Sequence, residues 1–498
     1  MRYYTYLIIF LGPVIATGCA KDLDQQPISN LTTQNFYTQP ADFIQGLNAV
    51  YNSLRTYPDR ILNLSETRSD NLYAVSDGGV RDWEGINSFH KTIAGNPYVI
   101  EAWNTDFVGI YRANEFLLAL QNRGSVITDE VLRRRYEAEA KFLRAFYYFD
   151  LVKIFGRVPV TEKAVSPEEA QQLQRSEVSK VYELILQDLQ FAADNLPETY
   201  AAADKGRATK FAAKGILASV YLMRSAPTYD IKGPGLGLNE YSQALVLLNE
   251  IITSGKYTFS PSFPNIFSYT NENNSEVIFD VQFATGFNPV LGATFPWLLA
   301  PDTWFQSQGK PTQGGLMIRP VSSNLLNSFE TTDTRKAFTI QSGYTFNGVA
   351  ETRSFIKKYI DVSKTPANRL DWPINFIVLR YTDILLLKAE CILKGAAGSQ
   401  ADVDEAVNKI RDRAGLSPIS NVSLDRLFEE RRKEFVGEGS RWYDLIRTGK
   451  IDQVIPAWIT AEDVQHQMQT FNKNYIIYPV PQPELDAAPG LYPQNDGY

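Results

Sequence analysis

The sequence predicts a mostly α-helical protein, built from consecutive helix pairs and interrupted by one long, irregular, partly β insertion. Three observations carry this. Apolar residues recur at three- and four-residue spacing through most of residues 40–255 and again after 377. Residues 256–376 break that pattern and hold 20 aromatics in 121 residues, against 12% for the whole chain. Gly, Pro, Asn and Thr are frequent there. So long a stretch inside a compact body is read as a folded insertion, not a structureless loop.

The N-terminus comes first in chain order. Met1 and Arg2 precede an apolar run from Tyr3 to Ala16, and Ala16-Thr17-Gly18-Cys19 follows. One basic residue, a short apolar run and a small residue before the cut predict a signal peptide over residues 1–18. The run is shorter than the roughly 20 residues that span a bilayer. A small residue followed by Cys is what lipoprotein signal peptidase reads, so Cys19 is the expected lipid carrier. One acyl chain anchors only marginally, whereas a diacylglyceryl group plus an N-acyl chain suffices. Residues 19–35 are polar and read as a tether. Residues 36–498 read as a single body, with an N-terminal part (36–255), the insertion (256–376) and a C-terminal part (377–498).

A helix is expected from Pro40 to Leu54, with Phe43, Leu47 and Val50 on one face. Residues 100–121, 129–155 and 177–196 each carry one apolar stripe; in the last, Val178, Val181, Ile185, Leu189, Ala192 and Leu196 are spaced 3-4-4-3-4. Ser176 is the expected N-cap of that helix, and Pro197 lies just past its end. Ala208–Met223 is rich in small residues, which let a partner helix approach closely. Tyr241–Ile252, Val378–Leu393 and Val403–Ala414 complete the set, the last with Gly415 as its stop. Consecutive pairs at about 34-residue spacing suggest degenerate tetratricopeptide-like (TPR-like) repeats, in effect an α-α superhelix. Inside the insertion, Val277–Phe283 alternates apolar and polar and is expected to be a strand.

Composition bounds the chemistry. Lys and Arg total 49 against 56 Asp and Glu, and no basic run stands out, so nucleic acid is not an expected partner. His90 and His466 are the two histidines, which leaves little for zinc sites or His-based nucleophilic catalysis. No HExxH, P-loop, GxSxG or CxxC motif is present. No metal and no cofactor are expected. Asp70, Asp77 and Asp82 lie close enough in sequence to suggest calcium, but they lack EF-hand spacing and read as a solvated loop. Cys391 falls in a helical pattern and reads as a small core hydrophobe. The string Leu427–Phe435, with Glu429, Glu430, Arg431, Arg432, Lys433 and Glu434, reads as a charged amphipathic helix whose pairs are solvated or tie helices together.

Several strings resemble the SusD/RagB family of outer-membrane nutrient-binding lipoproteins. They are Ala140–Leu151 with Phe155-Gly156-Arg157-Val158-Pro159, Arg207–Lys210, Arg380–Leu386 with Lys388-Ala389-Glu390, Arg411–Leu416, Glu430–Glu434, Glu438–Leu445, Tyr478–Pro481 and Gln494–Tyr498. They follow in family order over nearly the whole mature chain. The resemblance implies a TPR-containing body at the outer membrane, anchored through the Cys19 lipid. It also implies a SusC-like TonB-dependent transporter as partner, and an oligosaccharide or polysaccharide as ligand. The family is not enzymatic, and its hallmark strings build the body, not the ligand site.

By the family's layout, ligand contacts come from the irregular stretch before the first TPR-like pair and from the insertion. That points to Tyr73, Arg81, Asp82 and Trp83, and to Tyr269, Trp297, Trp304 and Phe305. Aromatic faces cover the C–H faces of sugars while polar neighbours bond hydroxyls. Core packing of the insertion is the competing account of each of these residues. Trp103, Trp372, Trp442 and Trp458 lie in or beside regular elements and are expected in the core. Three other readings predict different outcomes. An oligopeptide-binding member of the same family binds peptides. A surface glycoside hydrolase releases reducing ends. A TPR scaffold binds a protein partner and no small ligand.

Overall fold

A computed structural model describes residues 36–75, 81–312, 314 and 316–498. The expected leader, the tether and Cys19 lie outside the described residues, as does Asp77.

Among the described residues, six longer helices precede the insertion: α1 (Pro40–Asn52), α2 (Pro97–Arg123), α3 (Glu130–Phe155), α4 (Val178–Asn195), α5 (Lys210–Arg224) and α6 (Tyr241–Thr253). Their starts follow from local chemistry. The Asn96 side chain accepts from Tyr98 N and Pro97 fills the first helical position of α2. Asp129 accepts from Val131 N and Leu132 N to open α3. At α4 the cap falls on Glu177, which makes no side-chain cap bond. Ser176 instead donates its backbone N–H to Val158 O, which takes it out of the expected capping role.

The insertion carries β1 (Val277–Val281), β2 (Ile340–Phe346) and β3 (Val349–Ile356), and ends at β4 (Phe376–Arg380). β1 pairs antiparallel with β4, from Val277 opposite Arg380 to Val281 opposite Phe376. The two ends of the insertion are thereby closed on each other. β2 and β3 form a hairpin whose turn, Asn347-Gly348, has positive φ at both residues (48° and 76°), the geometry that favours Asn-Gly.

Beyond it come α7 (Tyr381–Leu393), α8 (Gln400–Arg413), α9 (Leu424–Phe435), α10 (Arg441–Thr448) and α11 (Ile451–Glu462). The helix expected from Val378 begins at Tyr381, because residues 376–380 are spent on the β1–β4 ladder.

Each helix packs on the next from α2 through α6, then α6 packs on α7 and α7 on α8. The array is therefore continuous across the insertion, which loops out between α6 and α7. One apolar core runs from Phe43 to Val480 and takes in residues of all three parts of the body. A smaller one lies among α7, α8 and α9. Trp103, Trp372, Trp442, Trp458 and Cys391 are all buried.

Buried ion pairs join the elements. Arg144 of α3 grips Asp188 of α4 with Nε and Nη2 at 2.7 and 2.9 Å. The charged face of α9 is not solvated. Glu430, Arg431, Arg432, Lys433 and Glu434 are all buried. Glu434 accepts from Arg380 (2.8 Å), Arg413 (2.5 Å) and Arg335 (3.2 Å), so α9 is tied at one carboxylate to β4, α8 and the insertion. Those three guanidiniums hold the Glu434 carboxyl far below the usual range against the penalty of burial. Among the described residues, no helix is long and apolar enough to cross a membrane.

Candidate functional site

The irregular stretch before α2 is stitched to the insertion by its backbone. Leu72 bridges to Val321, Tyr73 N donates to Pro320 O at 2.8 Å, and Ser322 N donates to Asn71 O at 2.9 Å. Asp59 receives the Thr294 hydroxyl, and Arg55 Nη2 donates to Val290 O at 2.9 Å. Two regions remote in sequence thus meet, and most of the expected ligand-binding residues lie along that junction.

The structure sorts them. Tyr73 is half-buried, with its hydroxyl donating to Asp463 Oδ1 at 2.8 Å. Trp297 is half-buried too, and the Arg369 guanidinium lies over its ring, 5.0 Å from the centroid. Arg81 and Asp82 are exposed at the start of the short helix Asp82–Asn87. The other four pack inward. Trp83, 5% exposed, lies beneath Arg319, whose guanidinium is 4.4 Å from its ring. Trp304 and Phe305 are 4% and 0% exposed and pack against Phe355 and Trp372 respectively. Tyr269 is half-buried and donates to Tyr359 O at 2.8 Å. Trp304 and Phe305 thus pack into the core of the insertion, the competing account of each. Trp83 supports the junction from below.

Other residues at the junction carry no sequence signal of their own. Phe287 is 56% exposed at the tip of the loop between β1 and Gly292. The neck of that loop is fixed. The Asp371 carboxylate accepts from Thr285 Oγ1 (2.8 Å) and Gly286 N (2.9 Å), and Ala284 N donates to Leu291 O. A firm neck beneath an exposed aromatic costs a ligand little ordering entropy.

Electrostatics concentrate below the surface. Arg319 is fully buried and donates to Asn63 and Thr67. Burial lowers its pKa and raises that of Asp59 to about 7. Among the described residues, no group of three or more His, Cys, Asp or Glu could hold a metal ion. Asp70, read as part of a solvated loop, is buried, paired with Arg432 at 3.1 Å and gripped by Arg441 at 2.7 and 2.8 Å; the Arg432 and Arg441 charges outweigh burial and hold its pKa at about 2.

Comparisons with known proteins agree with this architecture. Residues 303–498 match the model of the SusD family, and residues 22–222 match one described as starch-binding associating with outer membrane. SusD-like protein P2 of Formosa agariphila is 27% identical, over 99% of each chain. Surface glycan-binding protein A from Bacteroides thetaiotaomicron, solved in complex with laminarihexaose, superposes with a TM-score of 0.78 at 25% identity. The match covers 93% of this chain and 100% of that one. A laminarin binding SusD-like protein gives 0.75 at 27% identity, over 92% and 100% of the two chains.

Proposed function

Because this chain belongs to the SusD family, we propose that it captures an oligomeric glycan at the bacterial cell surface without turning it over. The observation that carries this is the junction itself. Trp297 and Phe287 present accessible aromatic surface on the insertion, and Tyr73 does so on the stretch hydrogen-bonded to it. Ring faces of this kind cover the C–H faces of sugars, and neighbouring amides and charged groups bond hydroxyls. The laminarihexaose complex of a relative matched over nearly its whole length supports the same ligand class.

Binding without turnover is supported by the relatives, which are named as glycan-binding and laminarin-binding proteins.

The anchor and the partner complete the proposal. Residues 1–18 are a leader, Cys19 carries the lipid, and a SusC-like TonB-dependent transporter receives the glycan at the outer membrane. α2 supports a docking face for that partner. Val108, Tyr111 and Leu118 are exposed along one stripe of it. At the end of the same helix, Arg123 Nη1 donates to Phe36 O at 2.9 Å, so the chain enters the body beside that stripe. A lipid upstream of Phe36 keeps α2 near the membrane.

Affinity electrophoresis of the mature protein in gels carrying laminarin, alginate, carrageenan or peptide tests the reading. Retardation by at least one glycan is expected. Retardation by peptide alone would move the protein to oligopeptide capture, and release of reducing ends would make it a hydrolase.

A further inference from the structure

Arginines that stack on rings in this protein commonly hold a carboxylate as well. Arg380 lies 4.1 Å from the centroid of Phe435 and pairs with Glu434 and Glu438. Arg413 lies 4.1 Å from that of Phe259 and pairs with Glu276 and Glu434. Arg369 is different. It is exposed and stacked on Trp297, yet among the described residues its guanidinium has no carboxylate within 4.0 Å and no hydrogen-bond partner. The nearest acid in sequence, Asp371, is engaged by Thr285 and Gly286.

Arg369 is also held in place. Gly314 lies against its guanidinium: a Cβ at that position would fall 3.0 Å from Cζ and closer still to Nη1. Gly314 has φ +119°, a conformation that other residues adopt only with strain, so the backbone there favours glycine. With Trp297 and Gly314 both against the group, its N–H donors have no hydrogen-bond partner among the described residues. A planar fork of unused donors, oriented in advance by stacking, is what bidentate recognition of a carboxylate or sulfate uses.

We propose that Arg369, held between Trp297 and Gly314, binds an anionic substituent of the glycan, so that the captured polymer is acidic. This rests on the glycan-capture reading above. The substituent is a carboxylate, as on a uronic acid, or a sulfate ester; both accept two parallel N–H donors.

Calorimetry of wild-type protein, Arg369→Gln and Arg369→Lys against laminarin (neutral), alginate (carboxylate) and carrageenan (sulfate), at low and high salt, tests it. The wild type should bind alginate or carrageenan more tightly than laminarin at low salt, with the preference eroded by salt. Arg369→Gln should lose about tenfold or more in affinity for that acidic glycan and most of its salt dependence. Arg369→Lys should keep the salt dependence while losing part of the affinity. Whichever of alginate and carrageenan binds identifies the anion. If laminarin binds and neither acidic polymer does, or if Arg369→Gln weakens neutral and acidic ligands equally at every salt concentration, the assignment falls and glycan capture stands. If no glycan binds, both fall.

Discussion

Arg380, the last residue of β4, donates from Nε and Nη2 to the two carboxylate oxygens of Glu438, each at 2.9 Å. Its Nη1 reaches Glu434 at 2.8 Å. The residue that closes the insertion is thus clamped to the end of α9 and the turn after it, inside the protein. Removing one partner of such a pair leaves an uncompensated buried charge, at a cost of about 3–5 kcal/mol. Arg380→Met is expected to lower stability by that order, read as a fall in the urea midpoint at unchanged slope.

A second buried carboxyl lies on β1 and acts with the opposite sign. Among the described residues Asp280 makes no ion pair; burial, with the like charge of Glu272, raises its pKa to about 7 against the hydrogen bonds donated by Gln282 and Asn375 and the charge of Lys205. The folded state then binds a proton more tightly than the unfolded chain. This stability is fully present below about pH 4 and is lost as pH rises through about 7. The melting temperature of Asp280→Asn relative to wild type is expected to rise between pH 5 and pH 8. A difference constant with pH would show that Asp280 stays ionised throughout.

Two tryptophans of the insertion separate binding from folding. Trp297→Ala removes a half-buried ring beside Arg369 and is expected to lower glycan affinity about tenfold or more while leaving the unfolding midpoint nearly unchanged. Trp304→Ala empties a core position, at a cost of about 3–5 kcal/mol, and is expected to leave the affinity of the folded fraction intact. Titration of both variants with the tightest binder among laminarin, alginate and carrageenan, alongside urea unfolding, reads the two effects separately.

The stripe on α2 makes a second separation. Tyr111 is 49% exposed on that helix. Tyr111→Asp together with Leu118→Asp is expected to abolish co-purification with the outer-membrane transporter while glycan affinity holds. Loss of both would mean that the two surfaces are one.

Anchoring is expected to be independent of ligand chemistry. Cys19→Ala should release the protein from the cell surface, seen by fractionation, and leave glycan affinity in solution unchanged.

The helical array was legible because each helix repeats its apolar spacing locally, as in Val178 to Leu196, and because caps such as Asp129 and Asn96 act within three residues of their own position. The β2–β3 hairpin carried a signal as well, the Asn347-Gly348 pair, but its strands are half-exposed and lack a clean alternation. Exposure within the candidate region was not legible residue by residue. Trp297 and Trp304 are seven positions apart in one aromatic-rich stretch, and nothing local distinguishes the accessible ring from the buried one. What separates them is tertiary: Phe355 packs on Trp304, whereas Arg369, 72 positions further along the chain, lies over Trp297. For the charged face of α9, whose pairs read as either solvated or tying helices together, the structure takes the second course. A helix of Glu and Arg looks solvated until partners such as Arg335, Arg380 and Arg413 arrive from elsewhere.

Calorimetric titration of the mature protein with laminarin, alginate and carrageenan, run beside Trp297→Ala and an assay for new reducing ends, tests glycan capture most directly. Saturable binding of at least one glycan, lost in Trp297→Ala and unaccompanied by new reducing ends, is the predicted result. Failure of every glycan to bind, binding that is indifferent to Trp297, or steady release of reducing ends would contradict it.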